Sequence, residues 1–308
     1  MEIKHNYSLQ KLNTFGLPAV AKQFVEVQSV ADISKILQSD KITKENILIL
    51  GGGSNLLFTK DFDGTVIKVN IGGIHVVKEN EHFVLVKAGA GAVWHDLVRS
   101  CIKANFGGLE NLSLIPGTVG AAPIQNIGAY GVELKDTFEA LEAICLEDGK
   151  KKYFTNSECQ FGYRDSIFKH ELKDKYIITN VVFKLTKEPK LNISYGNLSE
   201  VLHETSKKAF TIHDVSEAVI KIRKQKLPDP VDIGNAGSFF KNPIVPIQVL
   251  RAVQKYEPDV PFYTVTDKLV KIPAAWLIDY CKLKGMPYGG AAVHIDQPLV
   301  LINQDKAL

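Results

Sequence analysis

The sequence lacks the features that mark several large functional classes. No apolar run approaches the roughly 18 residues that a transmembrane helix needs. The opening residues Met1-Glu2-Ile3-Lys4-His5-Asn6 carry no apolar core of a signal peptide. A membrane-spanning or exported protein is therefore not expected, and a cytoplasmic one is. Charge of one sign is lacking too: 37 Lys and Arg face 34 Asp and Glu, a net +3, and the basic residues are scattered. The longest basic run, Lys150-Lys151-Lys152, reads as a solvated turn. A nucleic-acid or membrane-surface partner would leave a stronger bias, so neither is expected. Cysteine is scarce. Cys101, Cys145, Cys159 and Cys281 are irregularly spaced with no C-x-x-C pair, which argues against a disulfide framework and against a metal site.

What remains is a chain of 308 residues, 45% hydrophobic and 23% charged, long enough for two or three domains with sizeable cores. Residues 24–27 read as a strand, and Ser29 as the N-cap of a helix with Val30, Ile33, Ile36 and Leu37 on one face. The apolar strand 46–50 runs straight into Gly51-Gly52-Gly53-Ser54-Asn55, and residues 56–58 read as a further short strand and turn. From Val93 the period is helical through Val93, Leu97, Val98, Cys101 and Ile102, stopped by Asn105 and Gly107-Gly108. Residues 109–131 are rich in Gly, Pro, Ala and Asn, nearly uncharged, and fit neither period. Buried irregular backbone must find partners for its polar groups, and a bound ligand is one way. Strands resume at 140–146 and 176–185. Asp214 is expected to cap a helix bearing Val215, Ala218, Val219 and Ile222, closed by Leu227-Pro228-Asp229-Pro230 at the best candidate domain boundary. Helices are expected around 247–256 and from Pro273 to Lys284. The mixture is α+β rather than a regular βαβ array.

Four segments carry chemistry. Gly51-Gly52-Gly53-Ser54-Asn55 after a strand is a candidate phosphate cradle, since glycines let successive N–H groups converge on an anion. It is not a P-loop, because Asn55-Leu56-Leu57 supplies neither lysine nor hydroxyl, and Leu56 breaks the dinucleotide fingerprint at its third glycine. A tight turn is the commoner meaning of such a triplet. The second segment, 114–123, has small residues wherever a flat ring would need close backbone approach; a close-packed turn is its plainer explanation. Two uncharged glycine loops in one chain favour a large neutral-ring cofactor with a phosphate tail. The third, Phe161-Gly162-Tyr163-Arg164-Asp165-Ser166, holds an arginine that is costly to bury without an anion, although Asp165 or another internal carboxylate could serve. The fourth, 234–243, places Ser238 after a flexible Ala-Gly and before two phenylalanines. No G-x-S-x-G surrounds Ser238, which disfavours a hydrolase nucleophile and leaves a turn residue or a hydroxyl fixed toward a cavity.

Six blocks in this order, GGGSNLL (51–57), GLENLSLIPGTVGAAPIQNIGAYGVE (108–133), FGYRDSIFK (161–169), KLPDP (226–230), GNAGSFFKNP (234–243) and GGAAVH (289–294), resemble the UDP-N-acetylenolpyruvoylglucosamine reductase family. The resemblance runs from Asn13-Thr14-Phe15-Gly16 to Leu299-Val300-Leu301-Ile302-Asn303, and Ser194-Tyr195-Gly196-Asn197-Leu198 resembles its type I branch. It implies an α+β flavoprotein: a two-domain FAD-binding module of the PCMH/VAO kind (residues 1–70 and 71–225) and an α+β substrate-binding domain (226–308). The implied activity is the NADPH-dependent reduction of UDP-N-acetylglucosamine enolpyruvate to UDP-N-acetylmuramate, a step of peptidoglycan precursor synthesis and hence of cell-wall biogenesis, cell shape and division. A cytoplasmic monomer acting on a small UDP-sugar is implied as well.

Residue by residue, the resemblance implies that Gly51, Gly52, Gly53, Ser54 and Asn55 bind the FAD pyrophosphate, while Pro116, Gly117, Thr118, Gly120 and Ala121 pass beside the flavin. Arg164 would polarise the enolpyruvyl carboxylate and Ser238 would be the general acid. Tyr130 would line the site, and Tyr163, Tyr195, Lys226, Asn242 and Gln297 would hold the substrate. The family also has a catalytic glutamate after the Leu-Ile-Asn strand. No glutamate follows Glu257 in this sequence, so that role falls to no residue; the expectation is a trimmed form, or a chain that binds cofactor without full activity. Two rivals stay open: another FAD-linked oxidoreductase, and a flavin- or nucleotide-binding module. A plain NTPase is disfavoured by the missing loop lysine.

Overall fold

The structure, a computed structural model, describes residues 2–205 and 207–307. Met1, Ser206 and Leu308, and with them the outer limits of the expected first and third domains, lie outside the described residues. The chain divides into two compact units. One comprises the residues up to Leu12, Pro18–Gly53 and Phe58–Lys224; the other comprises Asn13–Leu17, Ser54–Leu57 and the residues from Gln225 onward.

The first unit is built on two sheets. Strands β1 (Ile3–Ser8), β2 (Val20–Val27), β3 (Ile47–Leu50) and β4 (Phe62–Val69) form a sheet in the order β1-β2-β4-β3. β1 runs antiparallel to β2, while β2 and β3 both lie parallel to β4. Parallel neighbours need a crossover, and helix α1 (Val30–Gln38) supplies one between β2 and β3. Its start is as expected: the Ser29 hydroxyl accepts the Asp32 N–H at 3.2 Å. The second sheet is antiparallel, ordered β10-β9-β11-β6-β5, from β5 (Ile74–Glu79), β6 (Phe83–Gly89), β9 (Phe138–Cys145), β10 (Lys151–Thr155) and β11 (Tyr176–Thr186). Lys151 and Lys152 thus open a strand; only Lys150 belongs to the turn expected for all three.

Helix α2 (Trp94–Lys103) buries Trp94, Leu97, Val98, Cys101 and Ile102, and it ends where Asn105 turns with φ +58°. Trp94 has no exposed surface and meets Phe183 of β11 edge-on at 5.7 Å, so its loss would cost about 3–5 kcal/mol. One continuous apolar core carries residues of both sheets and of α1 and α2.

Between α2 and β9 the chain is irregular, as its composition implies. It makes short 3-10 turns at Glu110–Leu112, Val119–Gln125 and Leu134–Asp136 and a small hairpin of β7 (Gly128–Ala129) and β8 (Val132–Glu133). Its buried polar groups are mostly satisfied from within. The Asn111 amide donates to Tyr130 O and Asn192 O at 2.9 and 2.8 Å, and Trp94 Nε1 donates to Leu112 O at 2.9 Å. The hydroxyls of Ser113 and Ser216 share a hydrogen bond of 2.7 Å. Helices α3 (Leu198–His203) and α4 (Ile212–Lys226) pack Leu198, Val201 and Leu202 against Val215, Ala218, Val219 and Ile222.

The cap of α4 is not the residue expected. Thr211, not Asp214, precedes the helix: its N–H and hydroxyl both donate to the Asp214 carboxylate (2.9 and 2.8 Å), and its hydroxyl accepts the Asp214 N–H at 3.3 Å. This is a reciprocal capping box with aspartate in the third position.

The second unit has a sheet ordered β12-β18-β17-β16, from β12 (Gly234–Ser238), β16 (Pro287–Tyr288), β17 (Ala291–Val293) and β18 (Val300–Asn303), and a small sheet ordered β13-β15-β14, from β13 (Ile244–Pro246), β14 (Tyr263–Thr264) and β15 (Leu269–Lys271). Helices α5 (Ile247–Gln254) and α6 (Ala274–Tyr280) complete it. Leu250, Val260, Val270 and Ile272 form its small core. The helix expected to run to Lys284 stops at Tyr280, because Lys282 takes φ +58° and turns the chain. Residues 56–58 form no strand. No helix among the described residues is long and apolar enough to cross a membrane.

Candidate functional site

In the first unit β3 delivers the chain into Gly51-Gly52-Gly53, and the second glycine-rich stretch lies directly against this loop. A Cβ on Gly51 would sit 2.6 Å from Thr118 Oγ1 and 3.2 Å from the Ala121 methyl; one on Gly52 would sit 2.8 Å from Gly117 Cα. Backbone packs on backbone here, which only glycine permits. The 117–120 stretch is fixed from behind: Trp94 N–H donates to Gly117 O at 3.0 Å, Val119 N–H to Ala92 O and Gly120 N–H to Ala90 O, each at 2.9 Å. Gly120 has no room either, since a Cβ would meet the Ala90 methyl at 2.5 Å. Pro116 and Ala121 remain exposed at the edge. Gly51, Gly52, Gly117, Thr118 and Ala121, placed in two separate cofactor segments by the sequence, are thus brought together.

Two features suit this cradle to a ligand. Thr118 Oγ1 is the one side-chain polar atom among the described residues that is buried without a hydrogen-bond partner. A buried hydroxyl left unpaired costs about 1–3 kcal/mol, so a ligand atom is the natural partner. Secondly, Lys68 Nζ donates to Gly51 O. Its burial pulls its pKa below the usual lysine range, opposed by Glu26. The charge missing from the glycine loop itself therefore arrives from the neighbouring strand. Sequence reading missed Lys68; only the parallel register that sets Leu50 beside Lys68 reveals it.

Arg164 stands at the tip of a tight turn closed by the pair Gly162 N–H to Asp165 O (3.0 Å) and Asp165 N–H to Gly162 O (3.3 Å). Its own φ is +55°, a left-handed conformation that costs a non-glycine residue about 1–2 kcal/mol. Its Nη2 donates to Gly128 O at 2.5 Å and its guanidinium lies 5.3 Å from the Tyr163 ring centre. Asp165 is not its partner, since it binds His170 Nε2 at 2.8 Å. No carboxylate among the described residues lies within ion-pairing distance of Arg164. The turn is scaffolded by Asn126, fully buried with φ +43°, whose amide donates to Gly162 O at 2.9 Å and to Glu133 Oε2 at 3.1 Å. Asn126 too was invisible in the sequence, where one Asn in a Gly- and Ala-rich stretch has no distinguishing period.

Tyr130 and Tyr195 come together, ring centres 6.4 Å apart and nearly perpendicular. Tyr130 is half-buried, and that burial raises the pKa of its phenol.

In the second unit Ser238 ends β12 just past an irregularity in its pairing with β18, between Asn235 and Ser238. Such bulges re-aim a side chain. Asn235, 2% exposed, fixes the approach: its Nδ2 donates to Pro228 O and Ile233 O (3.2 and 2.9 Å), its Oδ1 accepts Gly237 N–H at 2.9 Å, and its backbone is bound at both ends by Thr14. The Ser238 hydroxyl is exposed and bonded to no described residue. Gln297 sits in the turn before β18, its carbonyl accepting Val300 N–H at 3.0 Å, and Val300 is the residue opposite Ser238 in register. Asn242 also serves the fold, since its Oδ1 accepts Ala274 N–H at 2.9 Å and caps α6. Lys226 is exposed at the end of α4, and Ser54 and Asn55 belong to this unit. A depression of about 700 Å³ lined by Ile3, His5, Ser39 and Lys41 contains none of these residues.

Two of the four cysteines are buried. Burial pushes the thiols of Cys101 and Cys159 up to about 12. No group of three or more His, Cys, Asp or Glu among the described residues could hold a metal ion.

Residues 21–152 match the family described as FAD binding domain. The cradle fits such a group: two loops too close for any Cβ, an orphaned hydroxyl between them and a lysine at the loop carbonyl. Residues 229–308 match the family described as UDP-N-acetylenolpyruvoylglucosamine reductase, C-terminal domain. The chain is 51% identical to the UDP-N-acetylenolpyruvoylglucosamine reductase of Flavobacterium johnsoniae, over all of this chain and 91% of that one. It is 46% identical to the protein of that name from Amoebophilus asiaticus, with the same coverage. The crystal structure of the Thermus caldophilus reductase shares the fold, with a TM-score of 0.69 at 24% identity over 99% of this chain and 89% of that one. With a full-length relative at 51% identity and both family matches in the expected order, the chain belongs to the UDP-N-acetylenolpyruvoylglucosamine reductase family.

Proposed function

We propose that this chain reduces the enolpyruvyl group of UDP-N-acetylenolpyruvoylglucosamine, with FAD as its cofactor and NADPH as the source of electrons. The observation that carries the reading is Arg164: a half-buried guanidinium, held in a strained turn by Gly128 O, with no carboxylate among the described residues to neutralise it. A cation fixed in this way is suited to a carboxylate on a ligand, which guanidinium binds in two places.

FAD, held by the two glycine-rich loops, would supply the two-electron chemistry here, carrying hydride from NADPH to the methylene carbon of the enolpyruvyl group. Arg164 stabilises the negative charge that then spreads onto the substrate carboxylate, because its guanidinium is already oriented. Ser238 supplies the proton that completes addition across the double bond. A serine is a feeble acid in water, but a carbanionic substrate carbon can take its proton when geometry is fixed and water is excluded. The bulge at Gly237 and the locked Asn235 fix that geometry, and the seated substrate has to exclude the water. Gly51, Gly52, Gly53, Ser54 and Asn55 hold the pyrophosphate, with Pro116, Gly117, Thr118, Gly120 and Ala121 beside the ring. Tyr130, Tyr163, Tyr195, Lys226, Asn242 and Gln297 hold the UDP-sugar; Asn242 does so with its amide donors, since its carbonyl oxygen caps α6. The protein works as a cytoplasmic monomer, with residues 1–70 and 71–225 binding FAD and residues 226–308 binding substrate.

The test uses purified, flavin-loaded protein. NADPH oxidation should require the enolpyruvyl sugar nucleotide. Arg164→Met should retain its flavin and lose about 10²–10³ in turnover. Ser238→Ala should lose about 10²–10⁴ in turnover while NADPH still bleaches the flavin at the wild-type rate. Full turnover by Ser238→Ala, or a protein that refuses FAD, sinks the reading.

A further inference from the structure

The start of α2 grips the second glycine-rich stretch from one side. Trp94 N–H donates to Gly117 O at 3.0 Å, and its Nε1 donates to Leu112 O at 2.9 Å. Between those two anchors His95 Nδ1 accepts the N–H of Leu114 at 2.9 Å. Leu114 is the strained member of the stretch, with φ +57°, a conformation that leucine keeps only when its surroundings enforce it. Side chains take both of its backbone polar groups: His95 holds the N–H, and Arg223 Nε of α4 donates to the carbonyl at 3.2 Å. Directly beyond lie Pro116, Gly117 and the orphaned Thr118 hydroxyl.

The bond at Leu114 N–H is one that a proton can break. A backbone N–H only donates, so Nδ1 must offer its lone pair and the neutral ring carries its hydrogen on Nε2. A protonated ring has N–H on both nitrogens and would set donor against donor. The surroundings favour the neutral form. Burial holds the His95 pKa below the usual histidine value, and Arg99 on its own helix and Arg223 on α4 push the same way. Asp96 on α2 and Glu217 on α4 oppose them, and these four are the charged groups among the described residues that act on the ring.

We propose that His95 is a positioning residue of the cofactor site: its neutral ring locks Leu114 in the left-handed turn that sets residues 116–121 in their binding shape, and a proton on Nδ1 releases that turn. The inference rests on the FAD reading above and adds to it a dependence on pH. Leu114 N–H facing a second donor loses its partner, and the left-handed backbone then has its own strain to relieve. The neighbouring anchors at Trp94 carry no titratable group, so they hold Leu112 and Gly117 at any pH while the segment between them relaxes. FAD would then have to restore the turn as it binds, and affinity falls by that cost.

The experiment compares the full-length wild type with His95→Asn and His95→Leu. Asparagine puts its Oδ1 where Nδ1 stands and accepts without titrating; leucine accepts nothing. Each protein is stripped of flavin, and the dissociation constant of FAD is read from fluorescence quenching between about pH 8 and about pH 5, beside urea melts of the same apoproteins. At the alkaline end His95→Asn should match the wild type, and His95→Leu should bind FAD about three- to tenfold more weakly. The neutral ring is the bonded form, so wild-type affinity is complete above the usual histidine pKa of about 6.5 and falls as pH drops below it. Towards the acid end the wild type should lose about three- to tenfold relative to His95→Asn, while His95→Leu runs parallel to His95→Asn. If His95→Leu does not fold, the wild type and His95→Asn carry the test by themselves. Wild type and His95→Asn weakening in parallel overturn the proposal, since the titrating group then lies elsewhere. Equal FAD affinity in all three proteins, with only the melts shifted, would leave His95 a structural staple of α2 and would overturn it too. A wild-type protein that binds no FAD at any pH would sink the cofactor reading itself, and this inference with it.

Discussion

Both units place glycine beside their candidate site residues, for opposite physical reasons. In the first unit Gly51, Gly52 and Gly120 are needed for space: a side chain on any of them would strike another loop within 2.5–2.8 Å. In the second unit Gly237 has nothing within 4 Å of where a Cβ would lie, yet its φ of +66° disfavours any L side chain. The first arrangement lets two backbones close on each other and on a ligand. The second turns the strand so that the next side chain, Ser238, points elsewhere than the pleat would send it. Close approach serves binding, and backbone handedness serves aim.

The largest expected effect comes from filling the space. Gly52→Ala should cost about 1–3 kcal/mol through overpacking against Gly117, and FAD affinity should drop about tenfold or more for each 1.4 kcal/mol that falls on the loaded form. Flavin content on purification and titration of the apoprotein measure it. Next is Gly237→Ala, which should destabilise by about 1–2 kcal/mol in urea melts because it forces a left-handed alanine. Flavin affinity should stay intact while turnover drops, and Gly237→Asn should recover part of the loss since asparagine tolerates that conformation. If the two alanine variants fail in the same assay, the contrast between space and handedness is wrong.

A smaller effect separates cofactor binding from stability. Thr118→Val removes a buried hydroxyl that has no partner among the described residues. FAD binding should weaken by about 0.5–1.5 kcal/mol, while the apoprotein is no less stable than wild type. An apoprotein that melts earlier would mean the hydroxyl already had a partner. The smallest effect lies outside both loops. The Asp214 carboxyl is held down to about 2 from 3.8, first by the Lys207 hydrogen bond and then by the Thr211 N–H and hydroxyl. A lowered carboxyl contributes stability that is complete above its unfolded value and fades as pH falls through the folded one. Asp214→Asn should therefore cost about 1 kcal/mol near neutral pH, and the deficit should vanish between pH 4 and about 2. Flavin content and turnover should not change.

Much of this was readable in the sequence, wherever the signal is local. The Ser29 cap, the α2 stripe and the irregular character of 109–131 follow from residue type and spacing alone. Signals that depend on chain pairing were not. Lys68 is one charge in an apolar strand until parallel pairing puts it beside Leu50. Arg223 is one of several cations on a helix until the fold ties it to Leu114, more than a hundred residues earlier. The missed helix end at Tyr280 turns on a lysine adopting a left-handed conformation, for which composition gives no warning. The mistaken cap at Asp214 was off by one partner: the threonine three residues before it completes the same box.

The discontinuous make-up of the second unit has a consequence for biosynthesis. Its Asn13–Leu17 segment emerges from the ribosome early, yet Thr14 Oγ1 donates at 2.6 Å to Asn235 O, 221 residues later, and Phe15 O accepts from Asn303 Nδ2 at 2.9 Å, 288 residues later. This unit cannot be finished domain by domain during translation, and a fragment beginning at Gln225 would be missing a piece of its own wall. Nascent chains stalled before Asn303 should leave that segment open to protease, and release of the complete polypeptide should close it.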